Sequence, residues 1–304
     1  MTDAPLDCLV IGAGPAGLTA ATYLARFHRR IALVSAGRSR ATYIPVTHNC
    51  PGFPFGVSGS ELLDRMAAQS AQFGVVAVDA RVRQLLRSPS GFVAESDQQR
   101  WLARTVLLAT GVVDRLPPVP GIERGIADMV IRLCAVCDGY EASDHRIAVY
   151  GPPSAVIGHA CFLRTYSKQV TAILSEPGEL NRNDRERAAA LALTVMPPPR
   201  AIKLISGDDG KMQACRVSWP DRQEHFDSFY PVLGSDAKAG LGVALGTRVD
   251  AEGELIVDGN LQTSVDGLYA AGDVVNTLNQ ISVAVGQAAI AATAIHRRLS
   301  SNAL

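Results

Sequence analysis

Cys134 and Cys137 enclose two residues, and an aspartate follows at once, in the run Cys134-Ala135-Val136-Cys137-Asp138-Gly139. Two sulfurs at this spacing on a turn come within bonding range, and such pairs depress one thiol pKa, which favours thiolate chemistry. The same spacing is half of a zinc site. Zinc needs two further ligands, and the chain has no second C-x-x-C and no H-x-x-H, so no metal is expected. A static structural role is weak, because closing so short a loop stabilises little. Cys8, Cys161 and Cys215 sit in apolar patterns and read as small core residues. Cys50 reads as a packed cysteine and His48 as a loop histidine.

The dithiol lies between two stretches that both begin as strand, turn and helix. The first is Asp7-Cys8-Leu9-Val10-Ile11-Gly12-Ala13-Gly14-Pro15-Ala16-Gly17. Gly12 permits the tight turn, Gly14 lets the backbone approach a pyrophosphate, and Gly17 lets the helix pack close to the strand. The helix N-terminus then faces the phosphates. The next strand ends at Val34-Ser35-Ala36-Gly37, without the acid that usually holds the ribose hydroxyls, and Ser35 or Arg38 is the candidate substitute. The second stretch, Arg146 to Val156, is damaged where phosphates would sit: Gly151-Pro152-Pro153-Ser154-Ala155-Val156. Pro153 adds a ring where a bare backbone is wanted and removes an N–H donor. Glu176, after the following strand, repels a 2′-phosphate but suits a free 2′-hydroxyl.

These motifs need elements to position them. Apolar Leu9–Ile11, the helical pattern Ala16–Arg26 and apolar Ile31–Val34 make one βαβ unit. Glu61–Phe73 reads as an amphipathic helix capped by Ser60. Arg104–Leu108 is a buried strand running into Ala109-Thr110-Gly111. The second unit places a helix at Ser154–Tyr166 and a strand at Val170–Leu174. Lys211–Trp219 and Glu224–Leu233 read as strands of a small sheet, and Ile281–Leu299 as a long Ala-rich helix. Prolines at 117, 118 and 120 and the glycine-rich stretch 234–246 mark two crossovers.

At 304 residues and 47% apolar content, two domains with sizeable cores are expected. Basic and acidic residues balance at 29 each, so no net field draws the chain to nucleic acid or an anionic membrane. The N-terminal residues lack a basic n-region and an apolar h-region, and no apolar run is long enough to span a bilayer. A cytoplasmic location is the expectation.

The chain resembles the low-molecular-weight thioredoxin reductases and their relatives, class II of the pyridine nucleotide-disulfide oxidoreductases. Gly12-Ala13-Gly14-Pro15-Ala16-Gly17 looks like that family's FAD pyrophosphate loop. Asn49-Cys50-Pro51-Gly52 resembles its Asn-x-Pro-Gly segment, and Ala109-Thr110-Gly111 its crossover strand. Cys134 to Gly139 matches the Cys-Ala-x-Cys-Asp-Gly redox motif, and Thr263 to Gly272-Asp273 matches the second FAD motif. Gln280 and Ile281 fall where the family contacts the flavin ring, with Asn279 at the family's arginine position.

The resemblance implies an α/β fold of two Rossmann-like nucleotide-binding domains, the second inserted into the first. The FAD domain is expected at 1–116 and 245–304, and the NAD(P)H-like domain carrying the dithiol at 117–244. It implies FAD as cofactor, with NADH, NADPH or a second FAD left open for the other site. Cys137 is expected to face the flavin, Cys134 to exchange with the substrate disulfide, and Asp138 to act as acid/base. Asp273 is expected to bond the ribityl chain. Substrates implied are a thioredoxin-like protein or a small disulfide or dithiol, and the family's usual assembly is a homodimer. The broken second turn matches a divergent branch with poor use of NADPH, fed by a ferredoxin-like donor or linked to a second flavin. A conventional NAD(P)H-dependent reductase and an oxygen-dependent dithiol oxidase are the alternatives; a flavin redox sensor without turnover is disfavoured by the retained dithiol and Asp138.

Overall fold

The computed structural model describes residues 4–275 and 278–300. Leu6–Ile11 (β1), Pro15–Arg26 (α1) and Ile31–Ser35 (β2) form the first unit. Pro15 stands in the first turn of α1, where its missing N–H costs nothing, and Gly14 is the extended cap before it. Gly59–Ala71 (α2) is capped by the Ser58 hydroxyl, which accepts from the Glu61 N–H at 3.1 Å, so the helix starts before the expected Ser60. Ala77–Asp79 (β3), Gln84–Ser88 (β4), Gly91–Glu95 (β5) and Arg100–Leu108 (β6) follow.

A linking pair is made by Val112–Asp114 (β7) and, much later in the chain, Ser235–Ala237 (β15), which run antiparallel to each other. Between them come Ile122–Ala127 (α3), Ala135–Asp138 (α4), Ile147–Gly151 (β8), Val156–Leu163 (α5), Val170–Leu174 (β9), Arg182–Ala190 (α6), Thr194–Met196 (β10), Ala201–Ser206 (β11), Met212–Ser218 (β12), Gln223–Phe226 (β13) and Ser228–Pro231 (β14). After β15 come Gly240–Val243 (α7), Leu268–Ala270 (β16) and Ile281–Arg298 (α8).

The first sheet has order β3-β2-β1-β6-β5-β4, with β16 also on β6. The N-terminal half of β6 pairs antiparallel with β5 and its C-terminal half parallel with β16. Chain from both ends of the sequence thus meets in one sheet, and the second body is inserted between. That body holds the parallel sheet β10-β9-β8-β14 and the antiparallel sheet β11-β12-β13. The fold is α/β, with two Rossmann-type domains. The stretch 224–233 does not form one strand of the small sheet: Gln223–Phe226 pairs with β12, but Ser228–Pro231 crosses to pair with β8. Parallel neighbours buried on both faces favour that apolar run, Ser-Phe-Tyr-Pro, over the exposed small sheet.

One core cluster packs α1 and α8 on the first sheet. Ala20 and Ala21 of α1 and Ala288, Ala291 and Ala292 of α8 are fully buried, and small side chains let the two helices approach closely. Cys8 and Cys215 lie in the cores, and burial pushes both thiols up to about 12. Neither is a thiolate at neutral pH. Cys50 is buried beside Val57 and Leu62, and Cys161 is partly exposed. Among the described residues no helix is long and apolar enough to cross a membrane, and no cluster of ligands for a metal ion occurs.

Candidate active site

Gly12 adopts φ +111°, a conformation that L side chains rarely take. A Cβ there would lie 2.2 Å from the Ala109 carbonyl oxygen, so the turn after β1 sits directly on the end of β6. A Cβ on Gly17 would lie 1.7 Å from the Gly12 carbonyl oxygen. The same close approach joins the two halves of the sequence. Gly272, at φ +78°, would place a Cβ 3.0 Å from the Ala16 Cβ, and its N–H donates to Gln287 Oε1 of α8 at 2.8 Å. These contacts leave bare backbone at the mouth of a cavity of about 570 Å³.

That cavity is lined by Gly12, Gly14, Pro15, Ala16, Asn49, Ala109, Thr110, Gly111, Gly272, Asp273, Gln280 and Ile281, and also by Cys134, Cys137 and Asp138. Of the residues expected at the FAD site and the dithiol, Gly17 alone lies behind the lining, where it packs the helix onto the turn. The Ser35 hydroxyl accepts from the Ala13 N–H at 3.2 Å and so braces the glycine turn. Arg38 is exposed at the cavity rim.

Sequence reasoning missed Arg40. Its guanidinium donates to both Asp114 oxygens, at 2.7 and 2.8 Å, and to Asp273 Oδ2 at 3.2 Å. Burial holds the Asp273 carboxyl above the usual carboxylate range, against the pull of Arg40. Nothing local marks Arg40, because its partners lie 74 and 233 residues away.

Cys134 and Cys137 are joined as a disulfide, with Cα atoms 5.2 Å apart. Cys134 caps the short helix α4, and the Cys137 N–H points at its sulfur at 3.1 Å. A backbone donor at that distance stabilises a thiolate on Cys134 after reduction. Gln280 was expected against the flavin ring, and its amide Nε2 also reaches both sulfurs, at 3.3 and 3.2 Å. Its Oε1 accepts from Asn49 Nδ2 at 3.0 Å, and Asn49 Oδ1 accepts from the Thr47 hydroxyl at 2.8 Å. A polar chain thus ties the Asn49 loop and the start of α8 to the disulfide. Neighbouring Asn279 leaves a buried Oδ1 without a partner at the cavity wall.

Asp138 is held on its other side. Tyr230 donates to its Oδ1 at 2.9 Å, and Arg132, itself buried, lies 3.3 Å from Oδ2. Burial raises the Asp138 carboxyl, while Arg132 and Tyr230 oppose the rise.

The glycine turn, the helix N-terminus, the bare backbone at Gly272 and the orphaned Asn279 oxygen suit a dinucleotide that spans the cavity towards the disulfide. FAD fits this set: Gly12–Gly14 and the N-terminus of α1 would hold its pyrophosphate, and Cys134 and Cys137 would exchange electrons with it. Bound FAD supplies two-electron exchange with a dithiol.

The second turn differs. Ala155 and Val156 N–H groups both donate back to the Pro152 carbonyl, at 3.0 and 3.1 Å. The loop after β9 closes on Pro153, for a Cβ on Gly178 would meet the proline ring at 2.8 Å. Helix α5 starts at Val156, two residues later than expected, because Pro153 and this closure shift its first turn.

A disulfide facing a dinucleotide cavity between two Rossmann-type domains defines a flavin disulfide oxidoreductase, acting on a sulfur group. The family model for pyridine nucleotide-disulphide oxidoreductases matches residues 6–288, and the chain belongs to that family. It is 30% identical to the thioredoxin reductase of Mycolicibacterium smegmatis, over 97% of this chain and 96% of that protein. It is 28% identical to the thioredoxin reductase of Peptoclostridium acidaminophilum, covering 97% and 98% of the two chains. The crystal structure of thioredoxin reductase from Streptococcus pyogenes MGAS5005 superimposes with a TM-score of 0.88, at 28% identity, covering 97% of this chain and 98% of that one. The cofactor of the present chain is FAD.

Proposed function

We propose that the chain passes electrons between FAD and a protein or small disulfide through Cys134 and Cys137, and that it uses NADPH poorly. The observation that carries the first part is the disulfide lining the cofactor cavity with Gln280 against both sulfurs. Cys137 takes the flavin-side role and Cys134 the interchange role. Asp138 is the acid/base that exchanges a proton with the dithiol. Reduction of the substrate breaks its S–S bond, forms the Cys134–Cys137 bond and delivers two electrons and two protons. Thioredoxin, named in the relatives, is the model substrate. The reading assigns 1–116 and 245–304 to the FAD domain and 117–244 to the other domain.

The second part rests on the other turn. Pro153 lacks an N–H and its ring lies against Gly178, the first helical N–H groups fold back onto Pro152, and Glu176 follows the next strand. A ferredoxin-like donor or a second flavin would then feed the flavin. Overall likeness to thioredoxin reductases favours a second reading, a conventional NAD(P)H-dependent enzyme. Anaerobic mixing with NADPH and with NADH, following flavin bleaching, separates the two. Rapid stoichiometric bleaching by micromolar NADPH defeats the first reading. Bleaching by a small dithiol followed by reoxidation with oxygen identifies a dithiol oxidase instead.

A further inference from the structure

The segment before the dithiol is sewn onto β14. Phe229 N–H donates to the Val130 carbonyl at 2.8 Å, and Arg132 N–H donates to the Phe229 carbonyl at 2.9 Å. Alternate side chains of a strand share a face, so Ser228 and Tyr230 point together while Phe229 points away into the other core. Ser228 accepts from Arg132 Nε at 3.1 Å and pairs with His145 Nδ1 at 2.9 Å. Tyr230 donates to the Asp138 carboxylate. Arg132 is only 5% exposed and ends on Asp138. A buried guanidinium is costly without full pairing, so this arrangement has a strong demand for that carboxylate.

We propose that Arg132 and Tyr230 are positioning residues that clamp the Asp138 carboxyl against β14 and govern its proton exchange with the neighbouring dithiol. The proposal rests on the reading of Asp138 as the acid/base. The groups facing the carboxyl are Arg132, Tyr230 and Glu141, whose Oε2 is buried without a partner, with His145 behind Ser228. Burial and Glu141 favour the protonated acid; Arg132 and the Tyr230 hydroxyl favour the carboxylate. Loss of either clamp residue therefore moves the titration of Asp138 to higher pH. An opposite charge at this range typically shifts a carboxyl by about 1–3 pH units.

The test is an infrared titration of the protonated Asp138 band, in flavin-free and FAD-loaded protein, with Asp138→Asn to assign it. It is paired with the pH profile of flavin bleaching by dithiothreitol. Arg132→Met should move band and kinetic limb upward by about one unit or more, Tyr230→Phe by less, and Arg132→Lys should restore part of the shift. Should Arg132→Met fail to fold, Tyr230→Phe, which removes a single oxygen, carries the test. If Asp138→Asn abolishes the limb while the folded clamp variants leave band and limb in place, the clamp is wrong and the role of Asp138 stands. If Asp138→Asn keeps the limb, Asp138 is not the acid/base and both ideas fall.

Discussion

Replacing Gly17 with alanine adds one carbon at the tightest point of the cofactor turn. That carbon would sit 1.7 Å from the Gly12 carbonyl oxygen and 2.9 Å from its carbon. Both are backbone atoms, so no side chain can swing aside, and the first turn of α1 must retreat from β1 by more than an ångström. Overpacking of this kind costs about 1–3 kcal/mol. Gly286 in α8 is the internal control: it is exposed and a Cβ there meets nothing within 4 Å. Alanine at that position gains about 0.5–1 kcal/mol from helix propensity. Flavin-free Gly17→Ala and Gly286→Ala should therefore differ by roughly 1.5–4 kcal/mol in urea denaturation, with wild type between them. The displaced turn also moves the N–H groups that would hold the pyrophosphate. Charge-assisted hydrogen bonds are worth about 1.5–3 kcal/mol each, so FAD affinity should fall tenfold to a hundredfold in Gly17→Ala and stay unchanged in Gly286→Ala. Fluorescence titration with FAD measures it. Equal stability and equal affinity in the two variants would refute the assignment of this turn as the pyrophosphate cradle.

Cys137→Ser should abolish electron exchange between flavin and dithiol, whereas Cys134→Ser should leave Cys137 able to perturb the flavin spectrum yet block disulfide turnover; wild-type turnover in both variants contradicts the roles. NADPH affinity should rise at least tenfold when Glu176 is replaced by arginine in a Pro153→Gly background, since a charge-assisted phosphate contact is worth about 1.5–3 kcal/mol. Pulse mixing with NADPH before and after Pro153→Gly tests whether the ring itself closes the site. Asp138 and Asp273 are both raised by burial above the free-carboxyl value of 3.8, so the native state binds these protons more tightly than the unfolded chain. Their contribution to stability is full below about pH 4 and fades as pH rises through the raised values. Flavin-free Asp138→Asn/Asp273→Asn should accordingly lose less stability than wild type on going from about pH 4 to about pH 7, and an identical slope in both proteins argues against the burial effect.

What could be read without the structure was whatever chemistry is local in the chain. The Gly12–Gly17 turn and the Cys134–Cys137 pair are short-range devices whose spacing alone dictates geometry, and the prolines of the Gly151–Val156 turn stand out for the same reason. Periodicity located α1 and α8, though the start of α5 moved because helix ends depend on caps and neighbouring loops. The apolar stretch 224–233 could not be divided, since an apolar run carries no sign of which sheet it joins. Only the tertiary structure decided the polar partnerships. Arg40 finds Asp114 and Asp273, Gln280 finds the disulfide across more than a hundred residues, and Tyr230 finds Asp138 at a separation of 92. An arginine or a tyrosine has the same local signature on a solvated face as in a buried clamp. Its partner is chosen by which strands lie side by side, and the burial that makes the pairing obligatory exists only once both cores have formed.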